Sequence, residues 1–174
     1  YVSYWNRINS SMLRFTDSRL LKWRIADAAK YDYIPVMGAG NSIYVSRTPV
    51  TNAQYAAYLN ATGAKSPVNW VNGSYPAGQG DYPVNDVSYA DAAAYCAWLT
   101  AKDGVNTYRL PSESEWELAA GHMPKDADFN CGVNDVRTPV EQYADVTRGA
   151  HGAVDFWGNV WEWTSTVRSD ANGI

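Results

Sequence analysis

Four side chains in this sequence are of the types that most readily become nucleophiles or transition-metal ligands: Cys96, Cys131, His122 and His151. The two cysteines can form at most one bridge, and their spacing matches neither a zinc site nor a redox pair. Cys96 falls on the apolar face of a predicted helix, where a free thiol behaves as a small buried hydrophobe. The two histidines fall in different loops and read as surface or turn residues. The larger chemical resource is aromatic, with 8 Trp and 13 Tyr. Rigid rings give much contact area at low entropy cost, so such a load fits either a core or a binding surface. We assign Trp98, Trp116, Trp161 and Trp163 to the core. Trp70, Tyr75 and Tyr82 sit in a long irregular stretch and are the candidates for exposure and ligand contact.

Composition narrows the classes of partner. With 174 residues, 46% hydrophobic and 18% charged, the chain is the size of one globular domain with a real core. A formal net charge of -4 provides no basic footprint for nucleic acid, whose phosphates ask for clustered Lys and Arg. No apolar run approaches the roughly 20 residues that span a bilayer, and no segment has the layout of a secretory signal. The chain begins at Tyr1 and stops at Ile174 just after a tryptophan-rich stretch, which we read as an incomplete domain.

The elements that must position these residues announce themselves by their caps. Thr51 with Gln54 three residues on forms a capping box, and Gly63 closes the helix carrying Tyr55, Tyr58 and Leu59. Ser88 with Asp91 opens a second helix, in which Ala92, Tyr95, Cys96 and Leu99 recur at i, i+3, i+4 and i+7 on one face. Ser112 with Glu115 opens a third, bracketed by Pro111 and Trp116 and ending near Gly121. Ile43 to Val45 reads as a strand that ends before Pro49. Residues 64 to 87 hold three prolines and three glycines with little periodicity and form a long loop. A second irregular stretch runs from Gly121 to Gly152. Long ordered loops in a compact domain usually serve a site. Residues 1–33 mix basic and apolar positions without a helical or strand period and form a lead segment, with the domain proper at 34–174.

Four segments then stand in a telling order: Arg47-Thr48-Pro49-Val50-Thr51-Asn52-Ala53-Gln54-Tyr55; Pro83-Val84-Asn85-Asp86-Val87-Ser88-Tyr89 with the helix to Leu99; Arg109-Leu110-Pro111-Ser112-Glu113-Ser114-Glu115-Trp116; and Gly158-Asn159-Val160-Trp161-Glu162-Trp163. In sequence and order they resemble the formylglycine-generating enzyme and sulfatase-modifying-factor family over about residues 34 to 166. The resemblance implies an α+β, C-type-lectin-like fold: a small twisted antiparallel sheet, flanking helices and long ordered loops.

The resemblance also implies calcium. The family motif matching Asp155 to Glu162 wraps the ion with the side chains of Asp155 and Glu162 and the carbonyls of Gly158 and Val160, the mixed hard-oxygen set that calcium prefers. The alternative is that both carboxylates satisfy backbone N–H groups in a buried turn. A second family site corresponds to the loop of Asn130, Cys131, Asn134 and Asp135, where the spacing is shorter than in the enzymes. The aerobic enzymes use a cysteine pair after a Gly-Gly-Ser-Trp-like strand that these 174 residues do not reach, and related sulfoxide synthases bind iron through histidines of a separate domain. Neither a soft copper(I) site nor two histidines held with a carboxylate for iron is identifiable. The expectation is therefore a non-enzymatic member, of the kind found as variable proteins of diversity-generating retroelements, which display variable residues on a lectin-like platform to a protein ligand or receptor. Ser169, Asp170 and Asn172 are the candidate variable positions, and a virion or cell surface is the expected location. The alternative is an oxidase whose catalytic C-terminal part is absent.

Overall fold

The computed structural model describes residues 15–17, 33–36, 43–125, 127–131, 136–149 and 151–168. Four short strands, β1 (Phe15–Asp17), β2 (Tyr33–Val36), β3 (Ile43–Ser46) and β4 (Thr107–Arg109), form one sheet in the order β2-β3-β1-β4. Every neighbouring pair is antiparallel, with Phe15 opposite both Val45 and Arg109. The sheet thus draws one strand from the first 33 residues, which the sequence pattern left unassigned. On β3, Ile43 and Val45 are buried and Tyr44 between them is half-buried, the alternation of a strand with one face on a core.

The three expected helices are present: α1 (Asn52–Thr62), α2 (Tyr89–Asp103) and α3 (Glu113–Ala120). Each opens with a complete capping box, at Thr51, Ser88 and Ser112. The boxes satisfy two otherwise orphaned N–H groups apiece. Gly63 and Gly104 close α1 and α2 in the left-handed conformation, which glycine adopts without steric cost. A single-turn helix, α4 (Ala144–Thr147), follows in the second irregular stretch. It was not foreseen, because four residues carry no readable period.

The core is divided in two. One cluster lies between α1, α2 and β4 and is dominated by stacked rings: Tyr95 is fully buried, stacks on Tyr55 at 5.5 Å and meets Tyr58 edge-on at 5.6 Å. The other gathers Ile43 and Val45 of β3, Ala119 and Ala120 of α3, and Ala153 and Phe156, with Trp116 and Trp157 packed against them.

The 64–87 loop folds back on the first cluster. Its carbonyls serve the start of α1, with Tyr82 O accepting from Asn52 N–H at 2.8 Å and Gly80 O from Ala53 N–H at 3.0 Å. Trp70 is the loop's anchor. It is only 6% exposed and sits edge-on to Tyr55 and Tyr75, which corrects the expectation that it projects outward. A loop without periodicity still has to bury apolar area to stay ordered, and one indole supplies it. Tyr75 and Tyr82 are half-buried. Trp163 departs from its expected core role in the other direction. It is 38% exposed, lies edge-on to Tyr89 at 6.0 Å and donates its indole N–H to Val87 O at 3.1 Å. Among the described residues no helix is long and apolar enough to cross a membrane.

Candidate functional site: an indole-walled cleft beside a buried polar loop

The segment 153–160 is almost wholly buried yet has no regular structure. Asp155, Gly158 and Asn159 all take positive φ, at 59°, 86° and 56°. Asp and Asn tolerate this region better than other side chains, and Gly is free in it. At Gly158 glycine is required for a second reason: a Cβ there would lie 1.9 Å from the carbonyl oxygen of Phe129. The two loops touch backbone to backbone at that point. One residue on, Asn159 ties the same loops together. Its N–H donates to Asn130 O at 3.1 Å, while its side-chain amide accepts from Thr138 N–H at 3.0 Å and donates to Thr138 O at 3.1 Å. The side chain thereby imitates a strand partner, meeting the obligation of buried backbone groups to find one.

Asp155 plays the corresponding role on the other flank. It is 2% exposed. Its Oδ2 accepts from Glu141 N–H at 2.7 Å and its Oδ1 from the Thr147 hydroxyl at 3.2 Å, while its own N–H donates to Thr147 Oγ1 at 3.1 Å. The Arg47 guanidinium pairs with the Glu141 carboxylate over the same turn. Glu162 is directed elsewhere: its Oε2 accepts from the Trp116 indole N–H at 2.6 Å. The Gly158 carbonyl accepts from Val160 N–H at 2.7 Å. The proposed calcium donors are thus oxygens of the right hardness, and each carboxyl or carbonyl oxygen has a second lone pair. The two carboxylates nevertheless serve different protein donors. Among the described residues no group of three or more His, Cys, Asp or Glu gathers into a metal-binding cluster.

Beside this loop lies a cleft of about 460 Å³. One wall is the face of α3 that carries Glu113, Trp116 and Glu117, positions i, i+3 and i+4. The opposite wall is the end of the buried loop, with Phe156, Trp157, Trp161 and Glu162. Trp116 stands edge-on to Phe156 at 5.5 Å and to Trp157 at 5.2 Å, the geometry ring quadrupoles favour. At the lip, Arg168 forms a two-pronged ion pair with Glu113, its Nε donating at 3.0 Å and its Nη2 to the second oxygen. The stretch bearing Arg168 is itself strapped to the start of α3. Thr166 Oγ1 accepts from Glu113 N–H at 2.9 Å, and Ser165 donates its N–H and its hydroxyl to Pro111 O.

A second electrostatic anchor holds α3 from its other side. Arg109 grips Glu115 with two hydrogen bonds of 2.7 Å each, and Glu115 also accepts from Ser112 N–H at 2.7 Å. The Arg109 hydrogen bonds, aided by Ser112, pull the Glu115 carboxyl down to about 2.

Of the residues singled out in the sequence, Asp155, Gly158, Val160 and Glu162 share this region, and Asn130 joins them through its carbonyl. The Asn130 side chain donates to Val136 O at 2.9 Å. Cys131 is half-buried, while Asn134, Asp135, Ser169, Asp170 and Asn172 lie outside the described residues. Trp70 and Tyr75 belong to the other core cluster. The cleft residues Glu113, Glu117, Trp157 and Arg168 were not foreseen. The i, i+3, i+4 spacing of Glu113, Trp116 and Glu117 was legible, but with Trp116 placed in the core the face read as scaffold. Cys96 is buried, and burial pushes its thiol up to about 12 against a partial lowering by Arg109. Burial also raises the Cys131 thiol.

Comparison with known proteins places this arrangement. Residues 39–173 match the Sulfatase-modifying factor enzyme 1-like domain. Hercynine oxygenase of Mycolicibacterium smegmatis is 29% identical over 167 residues, covering 72% of this chain and 37% of that protein. The inactive Cα-formylglycine-generating enzyme 2 of Bos taurus is 33% identical over 122 residues, 52% of this chain and 37% of its own length. The formylglycine-generating enzyme of Mycobacterium tuberculosis is 27% identical over 198 aligned positions, 70% of this chain and 62% of that enzyme. The chain spans little more than a third of the first two relatives. In fold it is similar to PvdO from Pseudomonas aeruginosa, with a TM-score of 0.55 at 24% identity, covering 77% of this chain and 66% of that one.

Proposed function

The chain belongs to the formylglycine-generating-enzyme-like, sulfatase-modifying-factor family, and from that premise we propose that it is a ligand-binding domain rather than a cysteine oxidase. The observation that carries this reading is the placement of the two thiols these residues contain, which do not form a cysteine pair. Cys96 is walled into the aromatic core, where burial pushes its thiol up to about 12, and burial also raises the thiol of the half-buried Cys131. The thiolate is the nucleophile and the soft-metal ligand, and burial in apolar surroundings disfavours it. The relative from Bos taurus supports the reading, since it is named as an inactive member of the family.

Within this reading the chain is a variable protein of a diversity-generating retroelement. A lectin-like α+β scaffold presents the 169–172 stretch, with Ser169, Asp170 and Asn172, to a protein ligand at a virion or cell surface. The oxidase alternative is favoured by the relatives named as hercynine oxygenase and formylglycine-generating enzyme, and in it the catalytic thiols lie outside these 174 residues. Two measurements separate the readings. Any coding sequence past Ile174 that holds two closely spaced cysteines after a Gly-Gly-Ser-Trp-like strand would sink the binding reading, whereas a stretch dense in Asn, Tyr, Asp and Ser would support it. The full gene product, loaded with copper(I) and given a cysteine peptide, should return the peptide unchanged.

Calcium enters the same reading as a structural ion. Asp155 and Glu162 by side chain, with Gly158 and Val160 by carbonyl, would hold it and fix the loop that walls the cleft. The expected result is a fall in melting temperature on chelation that Glu162→Ala abolishes. An unchanged melting temperature assigns the loop's order to its hydrogen bonds alone.

A further inference from the structure

The 64–87 loop carries a small hairpin whose tip is chemically labile. Val71 and Ser74 bridge to one another, each donating its N–H to the other's carbonyl at 3.0 Å, and the residues between them are Asn72 and Gly73. Both take positive φ, at 51° and 76°, the conformation in which a two-residue hairpin turn favours Asn-Gly. Neither takes part in the turn's two hydrogen bonds, and all four residues are exposed. Beyond its chain neighbours, nothing lies within 4 Å of a methyl group built on the Gly73 Cα. The base of the hairpin is pinned, because Trp70 stands edge-on to Tyr75 at 5.3 Å and both rings pack in the aromatic cluster. The tip therefore opens by releasing two exposed hydrogen bonds while the core beneath it stays closed, an opening at the low end of the stability scale.

We propose that Asn72 is a modification site at which the folded protein deamidates itself, with water as the only co-reactant. The Gly73 backbone nitrogen gives its proton to water and attacks the Asn72 Cγ; the Cγ–Nδ2 bond breaks, and the nitrogen leaves as ammonia after taking up a proton. The product is a five-membered succinimide. Water then opens the ring at one carbonyl or the other and leaves aspartate or isoaspartate at position 72. One water is consumed, one ammonia is released, and nothing is oxidised or reduced. Glycine at 73 leaves the approach to its nitrogen clear, having no Cβ to obstruct it. Both products add a negative charge, and isoaspartate also inserts one methylene into the main chain between Val71 and Ser74. The site goes beyond the ligand-binding reading and holds whether or not the domain binds a ligand.

The test is incubation of the folded protein in warm, mildly alkaline buffer, followed by tryptic mapping and fragment-ion mass spectrometry. Cleavage after Lys65 and Lys102 releases one peptide that carries Asn69, Asn72 and Asn85, so the site has two internal controls. Asn72 should gain the mass of an amide turned acid at least about tenfold faster than Asn69 or Asn85, which precede Trp70 and Asp86 rather than glycine. Gly73→Ala should slow the conversion by about tenfold, and Asn72→Gln should leave position 72 unchanged, because its longer side chain closes a six-membered ring poorly. Equal rates at the three asparagines overturn the proposal, as does a Gly73→Ala variant that converts as fast as the parent. A parallel incubation in urea separates tip opening from unfolding. The native rate should lie within about a hundredfold of the rate in urea; a gap of several thousandfold, on the order that global unfolding imposes, overturns the proposal by placing the reaction in the unfolded chain.

Discussion

The aromatic half of the molecule, around α1 and α2, and the loop half, around residues 153–160, are equally buried but held by opposite means. In the first, Tyr55, Tyr58, Tyr95 and Leu99 fill space from helices whose own backbones are already satisfied, and polar atoms enter mainly as caps. In the second the backbone has no helix or ladder to satisfy it. The side chains of Asp155 and Asn159 and the bare Cα of Gly158 do so instead, each at a position with positive φ. The first half depends on apolar area and tolerates change in proportion to the volume lost. The second depends on a few irreplaceable contacts. The second, where irregular backbone can turn indoles outward, forms a wall of the cleft beside α3.

This contrast can be broken at its strongest point first. Tyr95→Ala removes a fully buried, stacked ring and should cost about 4 kcal/mol in urea unfolding. A loss below 1 kcal/mol would mean that the aromatic cluster relaxes rather than packs. Gly158→Ala adds one methyl group, yet it must displace the Phe129 carbonyl and strain φ, and should cost about 3 kcal/mol. If that variant unfolds like the parent, the loop half is held by something other than this contact. Asp155→Asn keeps the tolerance for positive φ but gives up the charge that Glu141 N–H and the Thr147 hydroxyl donate to. About 2 kcal/mol is expected, measured in chelator so that no metal contributes.

The smallest effect is one of pH. Glu115 has its folded-state value lowered to about 2, below the about 4.3 of a free glutamate. Its contribution is therefore complete above about pH 4.3 and is lost as pH falls toward 2. Glu115→Gln should flatten that part of the stability profile and leave the neutral-pH cleft intact; an unaltered acid limb would show that Arg109 holds nothing there.

Legibility in the sequence follows the same division. Thr51, Ser88 and Ser112 each carry their helix start within four residues, so the three helices and the aromatic face of α2 could be read directly. The family motif at Gly158 to Trp163 was equally plain. What it builds was not, because the partners of Gly158 and Asn159, namely Phe129, Asn130 and Thr138, and those of the neighbouring Asp155, namely Glu141 and Thr147, are fixed by tertiary contact and lie up to 30 residues away. Trp70 and Trp163 exchanged their expected environments for a related reason. Whether an indole in irregular chain faces in or out depends on what the chain folds against, and no periodicity encodes that. The cleft stayed hidden because one of its walls was read as a helix and the other as a motif.

The hydrogen bond from Glu113 N–H to Thr166 spans 53 residues, and this distance along the chain sets an order of assembly. On a ribosome adding about 5 to 20 residues per second, α3 emerges roughly three to ten seconds before the hydroxyl that completes its first turn. Through that interval Trp116 and the alanines behind it lack the wall they pack against in the finished fold. The local capping box at Ser112 and the Arg109 grip on Glu115 are what the nascent helix has to hold its shape while it waits. The cleft is the last part of the described chain to close, and it is where a chaperone or a premature partner would find the molecule open.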